Sequence, residues 1–243
     1  MTTPESEFAV ESDAEVEPAT VSFQAQSEFH EVPLGVGVDE ETLDEQLREF
    51  SRDYWGDRED WEPLRRMFAA MQAANSEQLA ASGAIYQAMG VFPIAGSADE
   101  DAPARISRCT LLVSVRELDN PDPEVTAAGI AETLAHGSDG GESQLVSLPV
   151  GPAVVHVAGQ RAVWEREDGE QERFLVRIEV WIPFPAENRL LLVCLSTSDV
   201  QDLHLYQAVL ADIADTITFG NPEPAEETAA AVPATRSAVS DFD

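Results

Sequence analysis

Four histidines, two cysteines and one serine at a strand–helix junction are the residues of this chain whose types could support chemistry. His30, His136, His156 and His204 are scattered along 243 residues. No His-x3-His or Cys-x2-Cys spacing occurs, so no zinc site is predicted. His156 stands in the alternating run AVVHVAG, which reads as a sheet histidine rather than a ligand. His136 falls near the end of an expected helix, where a cation suits the dipole. Asp202 and His204 are two apart on a helix and point away from each other. Ser196 occupies a strand-to-helix turn, yet Leu-Ser-Thr-Ser-Asp lacks the glycines of a nucleophile elbow. Capping of the following helix by Ser198 or Asp199 accounts for it more simply. Gly35-Val-Gly37 lacks the third glycine, lysine and hydroxyl residue of a phosphate loop. Carboxylates make up 46 residues, so no pair of them stands out. No catalytic residue, metal ligand or cofactor site is assigned, and no cofactor is expected.

The aromatic residues suggest a surface instead. Trp164 and Trp181 fall on expected neighbouring strands, and Trp181 shares a face with Leu175, Arg177 and Glu179. Trp164, Leu175, Arg177 and Trp181 form the candidate partner surface, with packing under a helix as the competing reading. Trp55 and Trp61 flank Gly56–Asp60 and are placed to anchor one helix on another.

These residues must be positioned by a mixed set of elements. Phe29–Val38 is β-prone but interrupted by Pro33, which suits an edge strand. Asp39 offers an N-cap, and Leu43, Leu47, Phe50 and Tyr54 then form one helical stripe ended by Gly56. A second helix is predicted over Asp60 to Ala81, with Trp61, Leu64, Phe68, Met71 and Leu79 lining one side and alanine filling much of the rest. Ala84–Val91 reads as a strand. Ile106–Glu117 alternates, with Cys109, Leu111, Val113 and Val115 on one face. A helix starts at Pro121 and Pro123, with Val125, Ile130 and Leu134 on its inner side. Strands follow at Gln144–Leu148, Ala153–Val157, Arg161–Arg166, Glu172–Ile182 and Leu190–Leu195, with Asp168-Gly169 marking a hairpin. A last amphipathic helix carries Val200, Leu203, Tyr206, Val209, Leu210, Ile213 and Ile217. The class predicted is α+β, an antiparallel sheet covered by helices.

Charge sets the boundary conditions. With 46 acidic residues against 14 arginines and no lysine, the net charge is −32. Such a chain is repelled by nucleic-acid backbones and anionic lipid surfaces, and no basic stripe offsets this. No nucleic acid or membrane partner is therefore expected. No apolar run approaches the roughly 20 residues of a membrane span. Residues 1–28 hold seven acids and no base, and 221–243 are similarly polar and Pro-containing, so both read as disordered acidic tails. One domain is predicted between them, residues 29–220. Cys109 and Cys194 lie in apolar runs and read as buried reduced thiols. With no signal-like start, the expected address is the cytoplasm.

One resemblance adds to this. A strand ending in Pro183-Phe-Pro185 leads to a Leu-rich strand, to Leu195-Ser-Thr-Ser198, and to a helix finishing Asp212-Ile-Ala-Asp-Thr-Ile-Thr-Phe219. Leu148-Pro-Val-Gly-Pro-Ala153 precedes it. This pattern resembles the endings of PsbP-like and LpqN-like proteins, including many uncharacterised actinobacterial ones. The resemblance implies an α/β/α sandwich that binds or scaffolds, and it brings no catalytic residues. LpqN-like members are exported lipoproteins, and this chain lacks the lipidation cysteine.

The function expected is a non-enzymatic accessory protein that binds another protein through a sheet edge or its helical N-terminal part. Two alternatives stand beside it. One is a small-ligand binder or enzyme using a pocket between sheet and helices, with convergent polar groups such as His156, Arg177 or Ser196. The other is a chaperone-like factor for a secretion substrate.

Overall fold

A computed structural model describes residues 21–94, 105–118, 122–137, 140–166, 169–185 and 187–220. The chain forms strands β1 (Val21–Ser22) and β2 (Phe29–Glu31), then helices α1 (Glu40–Trp55) and α2 (Glu62–Ala81). Strands β3 (Ala84–Ile94) and β4 (Arg105–Glu117) follow, then helix α3 (Pro123–Ala135). Four more strands, β5 (Glu142–Leu148), β6 (Gly151–Arg166), β7 (Gly169–Pro183) and β8 (Arg189–Thr197), precede helix α4 (Leu203–Asp215) and strand β9 (Thr218–Phe219). Seven strands make one antiparallel sheet in the order β2-β3-β4-β8-β7-β6-β5, and β1 pairs with β9. The class is α+β, as the alternation of the strands predicts.

Alternation decides which side chains meet which layer. On one face Leu111 and Val113 of β4, Val193 and Leu195 of β8, and Ile178 and Val180 of β7 are buried. There α4 lays down Tyr206, Val209, Leu210 and Ile213 to complete the main core. On the opposite face α1 and α2 pack near the β2–β3 end, where Val32, Leu47 and Ala69 are buried against Met89. The same face is covered at its other end by α3, which contacts β5, β6 and β7.

Several local expectations hold for physical reasons visible in the bonds. Asp39 caps α1 by accepting from the Thr42 N–H at 2.8 Å. Asp122 does the same for α3, accepting from the N–H groups of Glu124 and Val125. Trp55 and Trp61 meet edge-to-face at 6.3 Å, and Tyr54 stacks on Phe68 at 5.7 Å, which fixes α1 on α2.

Others are corrected. The domain begins before Phe29: β1 pairs Val21 with Phe219, Phe23 meets Tyr86 edge-on at 5.0 Å, and the Gln24 N–H donates to Thr216 Oγ1. These anchors lie far along the chain, so the local composition that marked residues 1–28 as a tail could not register them. The remaining tail residues, 1–20 and 221–243, lie outside the described residues.

The two strands predicted at Ala153–Val157 and Arg161–Arg166 are one strand, β6, because Gly159 keeps its pairing with Val176 and the Phe174 ring covers the missing side chain. The buried side of α2 is Arg65, Ala69, Gln72 and Ser76, not the predicted stripe, and Met71 is exposed. Of the predicted stripe Phe68 does pack, half-buried against Phe50, Tyr54 and Trp55 of α1. Val125 of α3, like Met71, faces solvent.

Candidate functional site

The face of the sheet that carries α1, α2 and α3 also carries the polar residues. Cross-strand register lines up Gln87, Leu112, Cys194, Glu179, His156 and Ser143 in one row from β3 to β5. The neighbouring row is Met89, Thr110, Ser196, Arg177 and Ala158. Both rows run from α1–α2 on one side to α3 on the other.

Bond by bond, this surface is engaged. Arg177 Nε contacts Glu179 Oε1 at 3.2 Å, and the Trp181 indole N–H donates to Glu179 Oε2 at 3.3 Å. Glu179 is 6% exposed, and each of its carboxyl oxygens has a side-chain partner. Ser196 Oγ lies 3.7 Å from the Cys194 thiol. Burial pushes the Cys194 thiol up, keeping it protonated and a poor nucleophile. His156 is 2% exposed and abuts Gly141, whose missing side chain makes room for the imidazole. His156 faces Glu179, and Ser196 faces Arg177 and Thr110 in the next row, so serine and histidine do not form a nucleophile–base couple. Among the described residues no group of three or more His, Cys, Asp or Glu is placed to hold a metal ion.

The predicted partner surface separates. Leu175, Arg177 and Trp181 do share the outer face of β7, but Trp164 pairs with Gln171 while Trp181 pairs with Val154, ten positions along the same ladder. The Trp164 side chain lies outside the described residues. Trp181 lines a cleft under α3 with Leu118, Ile130 and Leu134. The cavity between sheet and α4 has a volume of about 290 Å³ and is lined by Val146, Leu148, Val155, Val157, Ile178 and Leu210. His156, Arg177 and Ser196 point from the opposite face of the same strands.

The sequence reading missed three structural uses of charge. Arg105 grips Asp202 through two hydrogen bonds, at 2.7 and 2.6 Å, tying the start of β4 to the turn before α4. This ion pair holds the Asp202 carboxyl below its usual range. Asp199, expected to cap the last helix, instead accepts from the Arg108 N–H at 2.7 Å. Arg65, buried in α2, donates to the carbonyls of Gly56 and Arg58 and closes the loop after α1.

The reading also missed a cleft. Between the loop before α1, α1 itself and α2 lies a space of about 1120 Å³, larger than the apolar cavity beneath α4. Leu34, Leu43, Ala73 and Ala74 form its apolar walls, and Asp39, Glu40, Glu41, Asp44 and Glu77 stand around it. Gly35 shapes one wall: its φ is +69°, and a Cβ there would come within 2.6 Å of Leu43 Cδ2. Gly35 therefore serves a tight turn against Leu43, while Gly37 has φ +76° and open space around it. The sequence signal for the cleft is the run of alanines on α2, which leaves room beside the helix.

Comparison with protein-family models, curated proteins and solved structures finds no match to this chain. The PsbP-like resemblance therefore rests on its motif residues, which here form β7, β8, α4 and β9.

Proposed function

We propose that this protein is a non-enzymatic accessory protein that binds another protein, and that its helical N-terminal part provides the contact. The observation that carries this reading is the α1–α2 cleft, which leaves apolar walls open to solvent under a ring of carboxylates. Residues with chemical potential elsewhere are engaged in packing. Cys109 is pushed up to about 12 by burial, and the Tyr206 hydroxyl, also raised to about 12, bonds Ser107 at 2.6 Å. The PsbP-like motif residues favour the same class of function. Affinity purification of the tagged full chain from its native host, followed by mass spectrometry and sizing, tests it. A stoichiometric co-purifying protein is expected. A chain that sizes alone at low and moderate salt would count against the reading.

A second reading is favoured by one observation. The cavity beneath α4 is almost wholly apolar, with Gln207 and Asp215 at its margin, and suits a small aliphatic ligand. Native mass spectrometry of the gently isolated protein distinguishes the two: a retained small mass supports the ligand, an unliganded chain the protein partner.

A further inference from the structure

We infer that the α1–α2 cleft is the docking site for a basic amphipathic helix of the partner protein, a step that rests on the protein-binding reading above. The walls set the apolar half of the recognition. Leu34, Val38, Leu43 and Ala73 line the cleft, and Val38 is 42% exposed on the loop before α1.

The rim sets the charged half. Asp39 is occupied by the α1 cap, and Asp44 is paired with Arg48. Glu40, Glu41 and Glu77 remain, and among the described residues no basic one lines the cleft. Three carboxylates beside an apolar floor match a segment with small or branched apolar side chains at i, i+3, i+4 and i+7 and arginine or lysine on its flanks.

Charge also selects among occupants. Residues 1–20 carry six acids and no base, and 221–243 carry five acids and one arginine, so neither end of the chain complements the rim. A second copy brings the same net charge of −32. A basic segment of a different protein is attracted by all of it. A helix suits the space better than a strand, because the cleft lies between helices and offers no sheet edge for main-chain pairing.

Two measurements test the inference. In the first, the full chain is titrated with a synthetic helix bearing leucines on one face and arginines on its flanks, and followed by methyl NMR. Shifts are expected at Leu34, Leu43 and Ala73, with affinity falling about tenfold in Glu40→Arg/Glu77→Arg and at high salt. The variant's melting curve verifies that it folds. Equal binding by a scrambled or glutamate-flanked peptide, unmoved cleft methyls, or an unchanged affinity in the folded variant overturns the proposal.

In the second, a photo-crosslinking residue replaces Val38 or, separately, Leu145 on β5 in the native host. Adducts from Val38 are expected. Adducts from Leu145 alone overturn the cleft while leaving protein binding intact, and adducts from neither position overturn both.

Discussion

Cys109 and Cys194 sit on adjacent strands, yet Cys109 pairs with Thr197 and Cys194 with Leu112, which puts their sulfurs on opposite faces of the sheet. A disulfide between them is geometrically barred. Under mild oxidation the folded protein is expected to form no internal bridge, and alkylation of Cys109 should follow global unfolding, read by mass spectrometry against urea. Rapid labelling of Cys109 in the native state would contradict its burial. Asp202 gives a pH prediction. Its carboxyl is held below its usual range in the fold by Arg105, whereas in the unfolded chain it titrates near ~3.9. A depressed folded value contributes stability above the unfolded pKa and loses it as pH falls through the folded one. Asp202→Asn should therefore melt lower than wild type at neutral pH, and the difference should shrink below about pH 4. Thermal melts of both proteins across that range check it; a gap that widens in acid would refute the ion pair's role.

Local chemistry made most elements legible, and distance in sequence hid the rest. Asp39, the alternation of β4 and the apolar stripe of α4 declare themselves within a few residues. Arg105 and Asp202 are 97 residues apart, and Gln24 and Thr216 are 192 apart, so no window reveals them. The buried face of α2 escapes a hydrophobic pattern, because Arg65, Gln72 and Ser76 lie on it beside Ala69. Ser76 shows the cost being met: its hydroxyl donates to the Gln72 carbonyl at 2.8 Å. The turn between α2 and β3 is equally specific. Gly83 has a φ of +85°, its carbonyl accepts from the Val115 N–H at 2.9 Å, and a Cβ would run into the Val115 carbonyl. Gly83→Ala is expected to destabilise the domain by at least about 2 kcal/mol in urea melts, since both strain and backbone contact oppose it. Tyr206→Phe, which removes the bond to Ser107 but keeps the ring against Phe92, should cost only about 1 kcal/mol. A reversed order of these two would show that the junction is more compliant than the backbone contact implies.

At the scale of the whole molecule, charge and cleft belong together. A net charge of −32 opposes compaction, so added salt should raise the melting temperature of the protein alone. The same salt should weaken the partner complex, and that opposition in sign separates general screening from recognition. The sequence made the acidity obvious but not its use, because the cleft exists only once Leu34, Leu43 and Ala73 are brought together from three elements. Trp164 and Trp181 show the converse limit: alternation gives them one face of the sheet, but not the ten positions of ladder that separate them. The most direct test is quantitative capture from native host extract, comparing the wild-type chain with a folded Glu40→Arg/Glu41→Arg/Glu77→Arg variant. A partner retained in equal molar amount by the wild type and lost by the variant is the predicted result. A partner held equally by both, or by neither, would contradict the account.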